Sequence, residues 1–223
     1  AERADGNLTF HLSLQQDGAQ RHGQAAASVT AEILSALEDL PEDRAGVRLW
    51  NLESLKTYLE REGVIGSIAA AVLGNTSRPV RALLFNKTAS TNWSLAWHQD
   101  RTICVKQRVQ VAGFGPWSVK RGMQHVAPPF DLLARMITVR VHLDDVPATN
   151  APLLIAPGSH TEGRVPVERI EEVVARRGIE ICTAEAGDVW VYSTPILHAS
   201  DPATQPKNRR VLQVDYSPDD LPK

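Results

Sequence analysis

Apolar residues at helical spacing dominate the first third of the chain. Between residues 25 and 40 they fall on one stripe, and Pro41 would end the helix that this stripe predicts. Two more helices are predicted over residues 52–61 and from Val64 to Leu73, and the second is apolar enough to be buried. Ahead of them, apolar and polar residues alternate over residues 8–14, which predicts a short strand.

Beyond Pro79 the pattern changes to short apolar or alternating stretches separated by turn-forming residues, and each stretch predicts a strand. These stretches are residues 80–86, 102–107, 137–143, 153–156, 188–192 and 211–216. Strands in such a series are typical of a closed or two-sheet β structure. Residues 113–129 interrupt the series and predict a long irregular loop of the kind that covers or binds ligands, whereas residues 167–177 predict one more helix.

Length and charge narrow the class of protein. The chain has 223 residues, of which 43% are hydrophobic, and a formal net charge of -2. This length favours a single domain over residues 1–223, with mostly helical support in residues 1–79 and a strand-rich core in residues 80–216. The nearly balanced charge gives no reason to expect nucleic acid or an acidic membrane as a partner, and a small-molecule substrate fits better.

The cysteines and the apolar runs of the sequence help to predict the cellular compartment of the protein. Cys104 and Cys182 are the two cysteines, which fits a reducing cytoplasm with two buried thiols better than a disulfide scaffold. The polar first residues lack the apolar core of a signal peptide, and the longest nearly apolar run, residues 64–74, is too short to span a membrane. We therefore expect a soluble cytoplasmic protein, with its oligomeric state left open.

His98 and Asp100 are the first candidates for chemistry. Residues two apart on a strand project from the same face, so this imidazole and this carboxylate can hold one metal ion together. His198, far downstream, is the candidate for a third ligand. Two histidines and one carboxylate form the facial triad of non-haem Fe(II) oxygenases. The same three side chains can also hold Zn(II) and activate a water for hydrolysis, which is an alternative.

A series of short motifs, in order along residues 80–216, resembles the phytanoyl-CoA dioxygenase family of Fe(II)- and 2-oxoglutarate-dependent oxygenases. The motifs are Leu84-Phe85-Asn86-Lys87-Thr88, Trp97-His98-Gln99-Asp100, His142-Leu143-Asp144-Asp145, Ala156-Pro157-Gly158-Ser159-His160, Gly187-Asp188, His198-Ala199-Ser200 and Arg209-Arg210-Val211-Leu212. The helical first third matches only in general character. The sequence departs from the family at Asn150-Ala151-Pro152, where the family usually has Asn-Gly. Alanine adopts a left-handed backbone conformation less easily than glycine, so if this turn needs one, we expect Asn150 to adopt it.

The resemblance implies a mainly β fold with helices. It is a double-stranded β-helix, a cupin-like jelly roll, with an N-terminal helical layer packed on one sheet. It also implies that His98, Asp100 and His198 are the catalytic metal ligands, with Fe(II), 2-oxoglutarate and O2 as the cofactor and co-substrates. The expected activity is that of a dioxygenase that hydroxylates a small organic molecule and releases succinate and CO2. Asp100 fills the coordination position that halogenating relatives leave to chloride, so we expect hydroxylation and not chlorination. Desaturation and ring formation remain alternative reactions of the same kind of centre.

The 2-oxoglutarate site is implied in the same way. A carboxylate is best held by the planar fork of an arginine. The family places this arginine on the last strand, eleven residues after the distal histidine, which is Arg209 rather than its neighbour Arg210. Ser200, Lys87 and Gln99 are further candidates for contacts to the co-substrate.

Candidates for substrate contacts are less specific. Arg140 shares one face of a predicted strand with two other polar residues, so it lines the cavity or a solvated face. Trp117 and His125 belong to the predicted loop, which either contacts substrate or is mobile and solvated. A non-catalytic jelly-roll binding protein is a further alternative. It would lack a metal ligand or the arginine, and this sequence has both.

Overall fold

Short antiparallel strands form the body of the protein. The structure is a computed structural model and describes residues 11–41, 44–49, 53–120 and 122–221. The strands are β1 Ala19–His22, β2 Gly46–Leu49, β3 Arg78–Lys87, β4 Leu95–His98, β5 Ile103–Val105, β6 Trp117–Lys120, β7 Met123–Val126, β8 Ile137–His142, β9 Leu153–Ile155, β10 Glu180–Cys182, β11 Val189–Ser193, β12 His198–Ser200 and β13 Arg209–Ser217.

The two larger sheets face each other. One has six strands in the order β1-β11-β8-β13-β3-β2, and the other has four in the order β10-β9-β12-β4. Trp190 and Tyr192 on the inner face of β11 pack in one cluster with Leu153 and Ile155 of β9. Two antiparallel sheets that share an interior in this way are the expected jelly roll, so the fold class is confirmed.

Helices pack around the sheets. They are α1 Leu14–Asp17, α2 Thr30–Ala36, α3 Glu53–Leu59, α4 Val64–Leu73, α5 Phe130–Ala134 and α6 Ile170–Arg177, and 3-10 turns lie at Ala27–Val29, Ala89–Thr91, Ser159–Glu162 and Val167–Arg169. Of these helices, α2, α3 and α4 cover the outer face of the six-stranded sheet, whereas α6 packs beside the four-stranded sheet. Ile33, Leu55 and Ile65 from α2, α3 and α4 pack with Val139 and Leu212 of the sheet. Each such side chain contributes about 1.5–3 kcal/mol through burial. The polar faces of the same strands are therefore turned inward, toward the space between the sheets.

Residues 113–129 are not a long irregular loop, and that expectation was wrong. β6 and β7 form a hairpin within this stretch, and β7 also pairs with β5, so the three strands make a small third sheet. Ile103, Val105 and Val126 from this sheet are buried with Leu133 and Met136. These aliphatic contacts fix the hairpin against the body of the protein.

Several expected element bounds also change. Of the predicted strand over residues 8–14, residues 8–10 lie outside the described part of the chain. The stretch ends in helix α1, because the Ser13 side chain accepts a hydrogen bond from the backbone N–H of Gln16 and caps this turn. The predicted helix over residues 25–40 is a 3-10 turn followed by the shorter α2. The helix expected over 52–61 is Glu53–Leu59, with residue 52 outside the described segments.

The turn before β9 holds an unusual backbone conformation. Ala151, not Asn150, takes the left-handed position, with φ of 51°. This conformation costs a non-glycine residue roughly 1–2 kcal/mol. Neighbouring hydrogen bonds hold it, because the Asn150 side chain accepts from the N–H of Lys207 at 3.2 Å and the Ala151 carbonyl accepts from Ser200 Oγ at 3.4 Å. The expectation for Asn150 was therefore wrong.

Two further findings concern the cysteines and the lengths of the helices. Cys104 and Cys182 are both free thiols; Cys182 is buried, whereas Cys104 is only partly so. Within the described segments, every helix is too short or too polar to cross a membrane.

Candidate active site

Strands β4 and β12 bring the three predicted metal ligands together. His98 and His198 are direct partners in the antiparallel pairing of these strands, and the centroids of their rings lie 4.2 Å apart. Asp100 follows β4 and joins them, so that one ligand atom from each of the three residues lies within 4.8 Å of the others. Among the described residues, this is the group of histidine and carboxylate side chains with the geometry to hold a metal ion.

Backbone carbonyls set the tautomer of both histidines. His98 Nδ1 lies 2.8 Å from the carbonyl oxygen of Ala96, and His198 Nδ1 lies 2.9 Å from that of Ile196. A carbonyl only accepts, so Nδ1 carries the proton in each ring and Nε2 presents a lone pair. Burial, and after it the neighbouring His98, lower the pKa of His198 to about 4, which keeps that imidazole neutral at neutral pH. The donor set suits Fe(II).

Arg81 on β3 connects Asp100 to a second buried carboxylate. Its Nη2 lies 3.3 Å from Oδ2 of Asp100, and its Nε donates to Oδ2 of Asp215 at 2.5 Å. Burial disfavours the charge of Arg81, but the two carboxylates outweigh burial and raise its pKa. Burial likewise raises the pKa of Asp100, but Arg81 and then the neighbouring histidines outweigh it, so Asp100 stays ionised.

The three candidate ligands open into a cavity of about 360 Å³ between the two larger sheets. Cationic side chains are unusually frequent in its walls: Arg48, Arg81, Lys87, Lys120, Arg140 and Arg209. Asp100 is the single carboxylate among the described lining residues. The remaining wall is largely apolar, with Leu83, Phe85, Trp93 and Leu153 among its members. A cavity of this size with a few convergent charged groups is typical of a site for a small molecule.

Arg209 is a buried member of the cavity wall. It is 2% exposed, and its Nε has no hydrogen-bond partner. Burial, and then the like charge of Arg140, lower the pKa of Arg209. A buried guanidinium with an unpartnered N–H is costly unless an anion binds it. Arg209 therefore fits the role of a carboxylate receptor.

Lys87 and Ser200 lie next to Arg209. Lys87 on β3 is the direct cross-strand partner of Arg209 on β13, and its Nζ donates to Ser200 Oγ at 2.9 Å. The Lys87 ammonium also stacks over the ring of Trp93, 4.7 Å from its centroid. Burial, and then Arg209 and Arg140, lower the pKa of Lys87 to about 8.

Arg140 lines the same cavity, as expected for a residue on the inward face of β8. Its Nη1 donates to Gln213 Oε1 at 2.9 Å, its guanidinium lies 5.5 Å from the Phe85 ring centroid, and its Nε has no partner. Arg210, in contrast, points to the other face of β13 and makes a two-pronged ion pair with Asp144 at 2.9 and 2.7 Å. The strand alternation thus separates the two adjacent arginines.

Three other predicted site residues lie elsewhere. Gln99 points away from His98 and Asp100: both of its Nε2 donors bind carbonyls, of Gly163 and Pro195, and its Oε1 accepts from the N–H of Val165. Its amide thus joins the strand to neighbouring loops and is absent from the cavity wall, which removes the basis for a co-substrate contact. Trp117 and His125 lie on the third sheet. Trp117 stacks with Arg108, His125 is fully buried, and neither residue is part of the cavity wall.

Arg48, Arg81 and Gln213 also line the cavity, and they were not predicted from the sequence. Strand alternation was a usable signal for Arg81, because positions 81, 83, 85 and 87 of β3 all face the cavity. The same alternation extends from Arg209 to Gln213 on β13. Arg48 had no comparable signal, since β2 is four residues long and only partly buried.

Comparisons with known proteins agree with this geometry. A family model described as phytanoyl-CoA dioxygenase (PhyH) matches residues 58–211. The apo form of EctD from S. alaskensis superposes with a TM-score of 0.65 at 18% identity, covering 92% of this chain and 74% of that one. A search of curated protein sequences gives no significant match.

Two further solved structures share the fold. SnoN, a non-heme alpha ketoglutarate dependent epimerase from nogalamycin biosynthesis, has a TM-score of 0.65 at 17% identity and covers 92% of this chain and 77% of its own. HygX from Streptomyces hygroscopicus, with nickel and 2-oxoglutarate bound, has a TM-score of 0.61 at 14% identity and covers 92% and 84%. Because the family model spans more than half of the sequence, the chain belongs to the phytanoyl-CoA dioxygenase family of Fe(II)- and 2-oxoglutarate-dependent oxygenases.

Proposed function

We propose that this oxygenase hydroxylates a small organic molecule at a metal centre formed by His98, Asp100 and His198, with release of succinate and CO2. The observation that carries the proposal is the position of these three side chains within 4.8 Å of one another, in a cavity that also contains Arg209. Two imidazoles and one carboxylate are a ligand set that suits Fe(II). Bound Fe(II) supplies the centre for O2 activation, coupled to oxidative decarboxylation of 2-oxoglutarate.

The protein's part in this chemistry begins with the ligands. The carbonyls of Ala96 and Ile196 hold the two imidazoles with Nε2 available, and Arg81 fixes the orientation of the Asp100 carboxylate. Partners of this kind orient ligands and tune their basicity. The site is therefore largely organised before a metal binds.

Arg209 supplies the fork for the distal carboxylate of 2-oxoglutarate. Lys87 adds a second positive charge from the facing strand, and the hydroxyl of Ser200 lies beside its ammonium. Charge-assisted hydrogen bonds of this kind are about twice as strong as neutral ones. Apolar side chains such as Leu83, Phe85 and Leu153 limit the water in the cavity.

Asp100 favours hydroxylation over halogenation. Asp100 would hold Fe(II) together with His98 and His198, in the role that halogenating relatives leave to chloride. The bound metal would then supply the chemistry that places one oxygen atom of O2 in a C–H bond of the substrate and the other in succinate. Mass spectrometry of product formed in excess chloride should show one added oxygen. A chlorinated product from the unmodified protein would contradict this part of the proposal.

The test of the proposed function has two measurements on the full-length protein. Metal analysis after anaerobic purification and a 2-oxoglutarate titration should give one Fe(II) per chain and a single co-substrate site. A screen of small organic molecules for stimulated succinate release should then identify substrates. Bound zinc with water-dependent hydrolysis, or metal binding without 2-oxoglutarate binding, would instead support a hydrolase or a non-catalytic protein.

A further inference from the structure

We propose that Arg140 is a second guanidinium of the co-substrate site. It binds the carboxylate of 2-oxoglutarate that neighbours the keto group, whereas Arg209 binds the distal carboxylate. The inference rests on the proposed function, because it takes 2-oxoglutarate as the ligand of this cavity. Arg140 lies outside the motifs that the chain shares with the family, so the resemblance gives it no role.

Two neighbouring side chains hold Arg140 in the cavity wall. Strand β8 pairs with β13, where Gln213 is the direct cross-strand partner of Arg140, and Arg140 Nη1 donates to Gln213 Oε1 at 2.9 Å. The Cζ atom of Arg140 also lies 5.5 Å from the centroid of the Phe85 ring on β3. All three side chains line the cavity, and Arg140 is only 5% exposed. The guanidinium is therefore fixed before a ligand binds.

A series of side-chain contacts connects Arg140 to the candidate metal ligands. Gln213 Oε1, which accepts from Arg140, also accepts from the hydroxyl of the buried Tyr192 at 3.4 Å. The centroid of the Tyr192 ring in turn lies 5.7 Å from that of the His198 ring. Gln213 and Tyr192 thus connect Arg140 to the part of the cavity wall that His198 forms.

Arg209 belongs to a different part of the same wall. Its cross-strand partner is Lys87, and Lys87 Nζ donates to Ser200 Oγ at 2.9 Å. His198 and Ser200 are the first and last residues of β12, and both line the cavity. Arg209 is thus connected to the Ser200 end of β12, and Arg140 to the end that supplies a metal ligand. Because a 2-oxo acid chelates a metal through its keto oxygen and the adjacent carboxylate, Arg140 is the guanidinium placed to bind that carboxylate.

Neither guanidinium has a carboxylate to balance its charge. Among the described residues, Arg140 and Arg209 form no ion pair, and the Nε atom of each has no hydrogen-bond partner. Buried cations without a counter-ion are costly, and these two also repel each other. 2-Oxoglutarate carries two carboxylates, one for each guanidinium, so its binding compensates both charges.

The two ends of 2-oxoglutarate should therefore depend on different residues. Arg140 should contribute to the binding of any 2-oxo acid, whereas Arg209 should contribute only when the ligand has a distal carboxylate. Arginine suits both positions, because its planar fork binds a carboxylate through two hydrogen bonds and keeps its charge.

The test compares two probes on the full-length protein loaded with Fe(II) under anaerobic conditions. They are 2-oxoglutarate and 2-oxobutyrate, which lacks the distal carboxylate. Calorimetry measures the affinity of each probe for wild type, Arg140→Gln and Arg209→Gln. Arg135→Gln is the matched control, because Arg135 precedes β8 and makes an exposed ion pair with Asp219. Iron content is measured in every sample.

Arg140→Gln should bind both probes about 10- to 100-fold more weakly, as for the loss of a hydrogen-bonded charge. Arg209→Gln should lose affinity for 2-oxoglutarate alone, and the control should bind both probes as wild type does. If Arg140→Gln unfolds or loses its iron, the test uses Arg140→Lys instead. That variant keeps the charge but not the planar fork, so it should bind both probes more weakly than wild type.

Three results would overturn the assignment of Arg140. They are Arg140 variants that bind both probes like wild type, Arg140 variants that lose affinity for 2-oxoglutarate alone, and wild type that binds 2-oxoglutarate but not 2-oxobutyrate. The proposed function survives each of them, because 2-oxoglutarate still binds to wild type. Wild type that binds neither probe would instead contradict the proposed function, and this inference with it.

Discussion

Arg81 lies between two carboxylates, with its Nη2 3.3 Å from Asp100, a candidate metal ligand, and its Nε bonded to the buried Asp215. The contact links the orientation of a metal ligand to an arginine that sequence reasoning did not identify. Because both partners of Arg81 are anionic and largely enclosed, its removal affects metal binding and folding together.

Replacing Arg81 with Gln should weaken metal affinity about 10- to 100-fold, the usual effect of removing a partner that orients a ligand. It should also lower the free energy of unfolding by roughly 3–5 kcal/mol, because Asp215 is left buried without its counter-ion. Metal titration and denaturant unfolding measure the two effects. Arg78→Gln is the matched control on the same strand, since Arg78 pairs with Asp220 at the exposed surface. Metal affinity that is equal in the two variants would contradict the positioning role.

Arg209→Ala and Arg210→Ala should behave differently. Loss of a bidentate contact in an enclosed site costs on the order of 2–4 kcal/mol, so Arg209→Ala should bind 2-oxoglutarate about 30- to 1,000-fold more weakly. Arg210 pairs with Asp144 on the opposite face, partly in solvent, so its loss should cost at most about 1 kcal/mol of stability. Titration of both variants with 2-oxoglutarate tests whether Arg209 binds the co-substrate. A loss of affinity confined to Arg210→Ala would show that Arg209 is the wrong arginine.

The affinity for 2-oxoglutarate should fall as pH rises through about 8. Burial, Arg209 and Arg140 lower the pKa of Lys87 to about 8, so its ammonium is present below that pH and is lost above it. An anionic ligand binds the protonated form better, and its affinity can decrease by up to about tenfold per pH unit above the pKa of the free protein. Calorimetric titrations at pH 7, 8 and 9 measure the effect. Lys87→Met should bind more weakly at pH 7 and lose this pH dependence; a variant with the wild-type profile would assign the titration to another group.

The parts of the site that the sequence predicted follow from short-range geometry. His98 ends β4 and Asp100 lies just beyond it, and the two side chains meet as the alternation of side chains along extended backbone predicted. The same alternation separates Arg209 from Arg210 within β13. It also places Gln99 on the face opposite the two ligands, so the expectation of a co-substrate contact there conflicted with the rule that predicted the metal pair. His198 is far from His98 and Asp100 in sequence, so side-chain alternation could not identify it as the third ligand. It was predicted from the order of the family motifs along the chain.

The remaining misses have physical causes. The β6–β7 hairpin lacks a clean alternation, because exposed residues such as Val119 interleave with turn-forming ones, and its pairing with β5 is a tertiary contact. Strand β2 is half-buried and at an edge, so no periodicity marks Arg48. Ala151 takes a conformation that its side chain disfavours, and hydrogen bonds made by residues distant in sequence hold it there.

His98, Asp100 and His198 are the three side chains that we expect to hold the catalytic iron. The decisive measurement is the Fe(II) content of anaerobically reconstituted wild type, His198→Ala and His22→Ala, with His22 as a control on β1, outside the cavity wall. We expect about one iron per chain in wild type and in His22→Ala, by the three-ligand coordination of such sites. His198→Ala should lose this iron and all substrate-stimulated succinate release. A full complement of iron with undiminished turnover in His198→Ala would contradict the central claim.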